Sequence, residues 1–120
     1  MRRTGGLARE DRLRRQADFS RVYRTGVRAG GRLILVVAAR PGNPGRGRLG
    51  VSVGRRYDRS AVRRNRAKRV LRAAWRLLGS DRPAYDVILI PRAPVHELRA
   101  PAVRDELVTL IARAERKLRS

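Results

Sequence analysis

The chain has 120 residues, and with 31 Lys or Arg against 10 Asp or Glu its formal charge is +21. That length can bury one core without staples, and a 42% hydrophobic share belongs to a folded domain rather than to a basic tail. The absence of cysteine excludes a disulfide framework, a thiolate metal site and a cysteine nucleophile.

Residues 1–12 are rich in Gly and Arg without periodicity. They are expected to form a flexible basic arm ahead of one domain over 13–118. In Arg15–Gly26, Phe19, Val22 and Tyr23 fall at helical spacing, and Gly26 is placed to cap the helix. A short strand is expected near Val27 to Ala29. Leu33 to Ala39 is a β-rich run closed by the turn cluster Pro41-Gly42-Asn43-Pro44-Gly45. Leu49, Val51 and Val53 then alternate with Gly50, Ser52 and Gly54, the period of a half-buried strand. These two runs are expected to pair as an antiparallel hairpin.

Ser60 to Leu78 is the strongest helix, with Ser60 as N-cap and Gly79 at its end. Ala67, Val70, Leu71, Ala74, Leu77 and Leu78 gather on its apolar side, with Trp75 at the border and core packing its expected role. Asn65, Lys68, Arg69, Arg72 and Arg76 gather opposite. Ala84 to Ile90 reads as a strand ended by Pro91, apolar enough to be buried on both faces. After a connector from Pro94 to Ala100, a last helix runs from about Pro101 to about Leu118, with Asp105 and Glu106 in its first turn favouring the dipole. The order α-β-β-β-α-β-α makes one α+β domain without internal repeats.

All basic residues but Lys68 and Lys117 are arginine. A GC-rich genome explains Arg replacing Lys, but not three bases for every acid. Such a charge repels itself until a polyanion neutralises it, and nucleic acid is the expected partner. From Arg55 to Arg76 there are nine Arg and Lys68 against one acid, Asp58. Charge runs are often just solvated faces. Here, like charges three or four apart destabilise the helix by a few tenths of a kcal/mol per pair, to about 0.5 kcal/mol, and no nearby acids relieve them. A phosphate backbone would. Asn65, between Arg64 and Arg66, adds an amide that can meet a base edge or a sugar hydroxyl.

Ala61-Val62-Arg63-Arg64-Asn65-Arg66-Ala67-Lys68-Arg69-Val70-Leu71-Arg72 closely resembles the signature of the bacterial ribonuclease P protein subunit. Asp18-Phe19 with Val22, Tyr23 and Gly26 looks like that family's first helix. Gly50-Val51-Ser52-Val53 with Arg55-Arg56 looks like its central strand and exit, and Ile88-Leu89-Ile90 with Arg92 and Pro94 like its last strand. The resemblance covers about Leu13 to Ala114. It implies a mixed sheet with a left-handed β-α-β crossover, like domain 2 of ribosomal protein S5, against the usual handedness.

The resemblance also implies a protein cofactor for a catalytic RNA that removes the 5′ leader from precursor tRNA. Arg64, Asn65, Arg66, Lys68, Arg69 and Arg72 match the family's helix for the catalytic RNA. Phe19, Tyr23, Ser52, Arg55, Arg56 and Arg92 match positions lining or flanking its cleft for the single-stranded leader. Two departures stand out. Val37 falls where the family often has an aromatic on the second strand, and Arg56 to Ser60 is one residue longer than in some relatives, so that Tyr57 could compensate.

No catalytic residue is expected in the chain. His96, the only histidine, lies in a connector beside Glu97, and no carboxylates pair at a metal spacing. Mg²⁺ is expected to be held mainly by RNA, with ribonuclease P RNA and precursor tRNA as partners and no small-molecule ligand. No apolar run approaches the ~20 residues of a membrane span, and Met1 to Arg15 lacks the core of a signal peptide. A cytoplasmic location without membrane partners is therefore expected. A ribosomal RNA-binding protein would share the size, charge and pattern; a nucleoid DNA binder would share the charge but lacks a recognisable recognition helix.

Overall fold

The computed structural model describes residues 12–42 and 47–119. The elements follow the expected order: α1 (Gln16–Thr25), β1 (Val27–Gly30), β2 (Ile34–Ala39), β3 (Leu49–Val51), α2 (Ala61–Leu77), β4 (Asp86–Pro91) and α3 (Ala100–Arg119). Single 3-10 turns lie at Gly79–Asp81 and Val95–Glu97. The strands form one mixed sheet in the spatial order β1-β2-β4-β3, with β3 parallel to β4 and the other pairs antiparallel. Helix α2 is the crossover that the parallel pair requires.

The hairpin expected between β2 and β3 does not form. β2 pairs back onto β1, with Val27 opposite Ala38 and Gly30 opposite Leu35, and β4 inserts between β2 and β3. The reason lies in β4, where Val87, Ile88 and Leu89 are all buried. A strand apolar on both faces belongs inside a sheet, whereas the three-residue β3 can only form an edge. β4 also begins at Asp86 rather than Ala84, and Pro91 is its last paired residue, opposite Ile34.

The two faces of the sheet are packed unequally. On one, Ile34, Val36, Val87 and Leu89 meet Ala67, Leu71 and Trp75 of α2 and Val103, Leu107 and Leu110 of α3. On the other, α1, with Val22 as its one buried residue, and Leu13 just ahead of it cover Val37, Ala39 and Ile88. A helix of ten residues cannot cover four strands, and Leu35, Ser52 and Ile90 on this face remain half-buried. Val37, where an aromatic was the family's alternative, is buried beneath α1; the half-open residue of β2 on that face is Leu35.

The ends of α2 follow the sequence. Ser60 Oγ accepts the Arg63 amide at 3.2 Å, and Gly79 takes φ 56°, where a side chain would be strained. Trp75 and Leu77 mark opposite edges of the apolar stripe. The indole takes the covered edge at 2% exposure, and Leu77, expected on the core side, is left 51% exposed. Gly26 caps α1 in extended geometry; it supplies space, since a Cβ there would meet the carbonyl oxygens of Val22 and Ala38.

The acids of α3 act differently from expectation. The helix begins at Ala100, so Asp105 and Glu106 lie in its second turn and none lies in the first. Asp105 pairs with Arg104 in solvent. Glu106 reaches back to the β1–β2 turn and accepts the amides of Leu33 and Ile34 at 2.8 Å and of Arg32 at 3.1 Å. Of the arm expected over 1–12, only Arg12 is described, and it forms an isolated parallel bridge with Leu49. Residues 1–11, and Asn43 to Gly45 of the turn cluster, lie outside the described residues.

Candidate nucleic-acid interface

Two surfaces carry the residues singled out in the sequence. The first is the outward face of α2. Asn65, Arg66 and Arg69 are exposed there and Lys68 is half-exposed, none with a hydrogen-bond or ion-pair partner among the described residues. Arg64 is already engaged. Its Nη1 donates to the carbonyls of Asp58 at 3.0 Å and Arg59 at 2.9 Å, tying the lead-in loop to the first turn.

Asp58, the one acid in this run, is spoken for as well. Its carboxylate accepts the Ser60 amide at 2.9 Å and Arg63 Nε at 2.8 Å. These bonds, the Ser60 amide first, hold its pKa below the ordinary carboxylate value. Asp58 therefore serves the start of α2 and leaves the charge of the outer face uncompensated.

The second surface is the half-open face of the sheet beside α1. Phe19 lies over β3, where a side chain at Gly50 would meet its ring at 2.7 Å. Tyr23, one turn on, reaches towards β1, with the Arg28 guanidinium 5.8 Å from its ring centroid. Helix α1 thus spans the sheet from one edge strand to the other. Its two aromatics stand at opposite ends.

Beyond α1, Ser52, Arg56, Tyr57, Ile90 and Arg92 line a cavity of about 530 Å³. Arg92 also donates to the Gly31 carbonyl at 3.2 Å. Arg55 and Arg56 line an adjoining cavity of about 840 Å³ with Arg59 and Arg63. Tyr57 stands between the two. Its hydroxyl donates to the Ala93 carbonyl at 2.7 Å, and burial first, then the charge of Asp58, raise its pKa. Tyr57 therefore brings an aromatic ring to the wall of both cavities.

Arg72, expected on the open face of α2, belongs to both surfaces. It is half-buried in a niche of about 130 Å³ beside Phe19, Gly50 and Val51. Desolvation first, then the charges of Arg12 and Arg76, lower its pKa. Arg12 and Arg14 line the same niche. Sequence reasoning missed these two because they stand at the edge of the arm, where only charge, not pattern, marks them.

The geometry therefore joins Ser52, Arg56 and Arg92, sets Arg55 beside them and places Phe19 next to Arg72. Tyr23 stands apart, and the α2 set faces outward. A model of the family described as Ribonuclease P matches residues 7–115. The chain belongs to the ribonuclease P protein family. It is 40% identical over 106 residues to the ribonuclease P protein component of Pelotomaculum thermopropionicum, covering 88% of this chain and 93% of that one. With the component from Shouchella clausii the identity is 36% over 111 residues, covering 91% and 89%.

Solved structures agree. The ribonuclease P protein of Staphylococcus aureus superposes with a TM-score of 0.73 at 29% identity, covering 87% of this chain and 94% of that one. The protein from Thermotoga maritima gives 0.72 at 29%, covering 85% and 96%. The ribosomal and nucleoid alternatives give way to ribonuclease P: an RNA-binding component of a ribonucleoprotein nuclease in tRNA processing, with ribonuclease P RNA as its partner. No described helix is long and apolar enough to cross a membrane. Among the described residues no three His, Asp or Glu side chains gather as candidate metal ligands.

Proposed function

We propose that this chain binds the catalytic RNA through the outer face of α2 and holds the single-stranded 5′ leader of precursor tRNA on the half-open sheet face, while the RNA performs the cleavage. The observation that carries this reading is the pairing of an uncompensated basic helix face with a separate face that combines aromatic rings and arginines.

On α2, Arg66, Lys68 and Arg69 meet phosphates, and Asn65 supplies the amide for a base edge or sugar hydroxyl. Arg64 holds the lead-in loop and presents what remains of its guanidinium. Release of counterions makes such binding strongly salt-dependent. On the sheet face, bases stack on Phe19 and Tyr23, each stack worth about 1–3 kcal/mol whatever the base. Ser52, Arg55, Arg56 and Arg92 hold the leader's backbone, and Arg72 stands where the two surfaces meet.

In this reading the side chains bind and orient, and proton transfer is assigned to none of the described residues. His96 is 76% exposed with Glu97 as neighbour, and Asp18, Asp58, Asp86 and Glu106 are each engaged by cations or amides. Mg²⁺ is assigned to the phosphates of the RNA, and the protein to the cytoplasm, where its RNA partners are. Replacement of Tyr23 tests the leader reading. In the holoenzyme reconstituted with a bacterial ribonuclease P RNA, Tyr23→Ala lowers affinity for precursor tRNA about fivefold or more and leaves mature tRNA unchanged. An equal effect on both would refute it.

A further inference from the structure

Asp86, at the start of β4, is the one polar residue fully buried among the described residues. Its Oδ2 takes Arg21 Nη2 and the Gly42 amide at 3.3 Å; its Oδ1 takes the Arg48 amide at 2.9 Å; and Arg48 Nη2 lies 3.5 Å from Oδ2. Arg48 turns its guanidinium also to Asp18 of α1, at 3.1 Å. The other end of the Arg21 fork donates to the Arg40 carbonyl at 3.0 Å, just past β2. Helix α1 is thus fastened by two charges three residues apart and of opposite sign, each matched by the opposite sign from the sheet side.

This cluster fixes what apolar packing under α1 does not. Only Val22 of that helix is fully buried, and hydrophobic contact is non-directional. A slide of α1 by one turn, about 5.4 Å, would part both ion pairs and strand a buried carboxylate, which is costly. A buried ion pair often adds little net stability, so its better-attested effect is to select one arrangement.

We infer that Asp86, acting through Arg21 and Arg48, is a positioning residue for the leader: it fixes where α1 lies across the sheet, and with it where Phe19 and Tyr23 stand. The inference rests on the leader reading proposed above. It predicts that loosening the cluster harms precursor tRNA alone, although none of these side chains needs to touch RNA.

The test measures precursor and mature tRNA affinity of the reconstituted holoenzyme carrying Arg21→Met, Arg21→Lys or Asp86→Asn, with Tyr23→Ala as reference. Arg21→Met keeps an apolar stem and leaves Asp86 with Arg48 and two amides, so it retains the fold. Precursor affinity is expected to fall about fivefold, the low end of one lost stack, with mature tRNA unchanged and partial recovery in Arg21→Lys. Asp86→Asn should act in the same direction; where its unfolding is no longer cooperative, Arg21→Met decides. If Tyr23→Ala separates the two tRNAs and Arg21→Met does not, the positioning role is refuted. Equal loss of both tRNAs in Arg21→Met also refutes it, because that marks a general structural defect. If neither variant separates them, the leader reading itself fails.

Discussion

Glu106→Ala should be among the more damaging single substitutions away from the apolar core. Its carboxylate serves three amides of the β1–β2 turn, and two of these belong to the buried residues Leu33 and Ile34. A buried donor left without a partner costs about 1–3 kcal/mol. The Arg32 amide is exposed and can take water, so the two inner amides set the loss, at about 2–4 kcal/mol with partial water access. For a domain of this size each kcal/mol moves Tm by about 4 °C, so a fall of roughly 8–16 °C is expected in thermal unfolding followed by circular dichroism. Glu106→Gln should lose much less, since one amide oxygen can still serve Leu33 and Ile34 and only the exposed Arg32 amide is left to water. Asp105→Ala is the control. Its pair with Arg104 is exposed and worth at most about 1 kcal/mol, so Tm should hardly move. Equal shifts for Asp105→Ala and Glu106→Ala would refute the turn-holding role and restore a simple dipole effect.

Two further outcomes follow from the charges around α2. The folded-state pKa of Asp58 is lowered, chiefly by the Ser60 amide and then by Arg63, so its contribution is present above the ordinary carboxylate value and is lost as pH falls through the lowered one. Wild type should therefore melt above Asp58→Asn at neutral pH, and the gap should close in acid; a gap independent of pH would contradict the assignment. The double variant Arg66→Ala/Arg69→Ala should weaken binding to ribonuclease P RNA and reduce the salt slope of log K by about two, without altering the ratio of precursor to mature affinity.

What could be read from the sequence was what is encoded locally. The α2 helix was legible because its cap, apolar stripe and terminal glycine lie within twenty residues of one another, and α1 because Phe19, Val22 and Tyr23 share a face. Strand pairing was not. Period-2 alternation in β3 tells which of its residues face the core, but neither it nor the β-rich run of β2 says anything about β4 entering between them. The acids show the same limit. Asp86 passes as one more residue of the strand expected from Ala84 and Glu106 as a helix-dipole acid, because the Arg21 and Leu33 that give them their roles lie 65 and 73 residues away. The basic face of α2 was legible as composition, whereas the engagement of Arg64 depends on the path of the loop leading into α2, and the turn of Arg72 towards Phe19 on how α2 packs beside β3.

Cleavage of precursor tRNA by a bacterial ribonuclease P RNA at low, near-physiological Mg²⁺, with and without this protein, tests the central claim most directly. Cleavage at the mature 5′ end that depends on the protein, with none from the protein alone, is the predicted result. A protein that leaves the RNA unstimulated, or that cuts without it, would contradict the account.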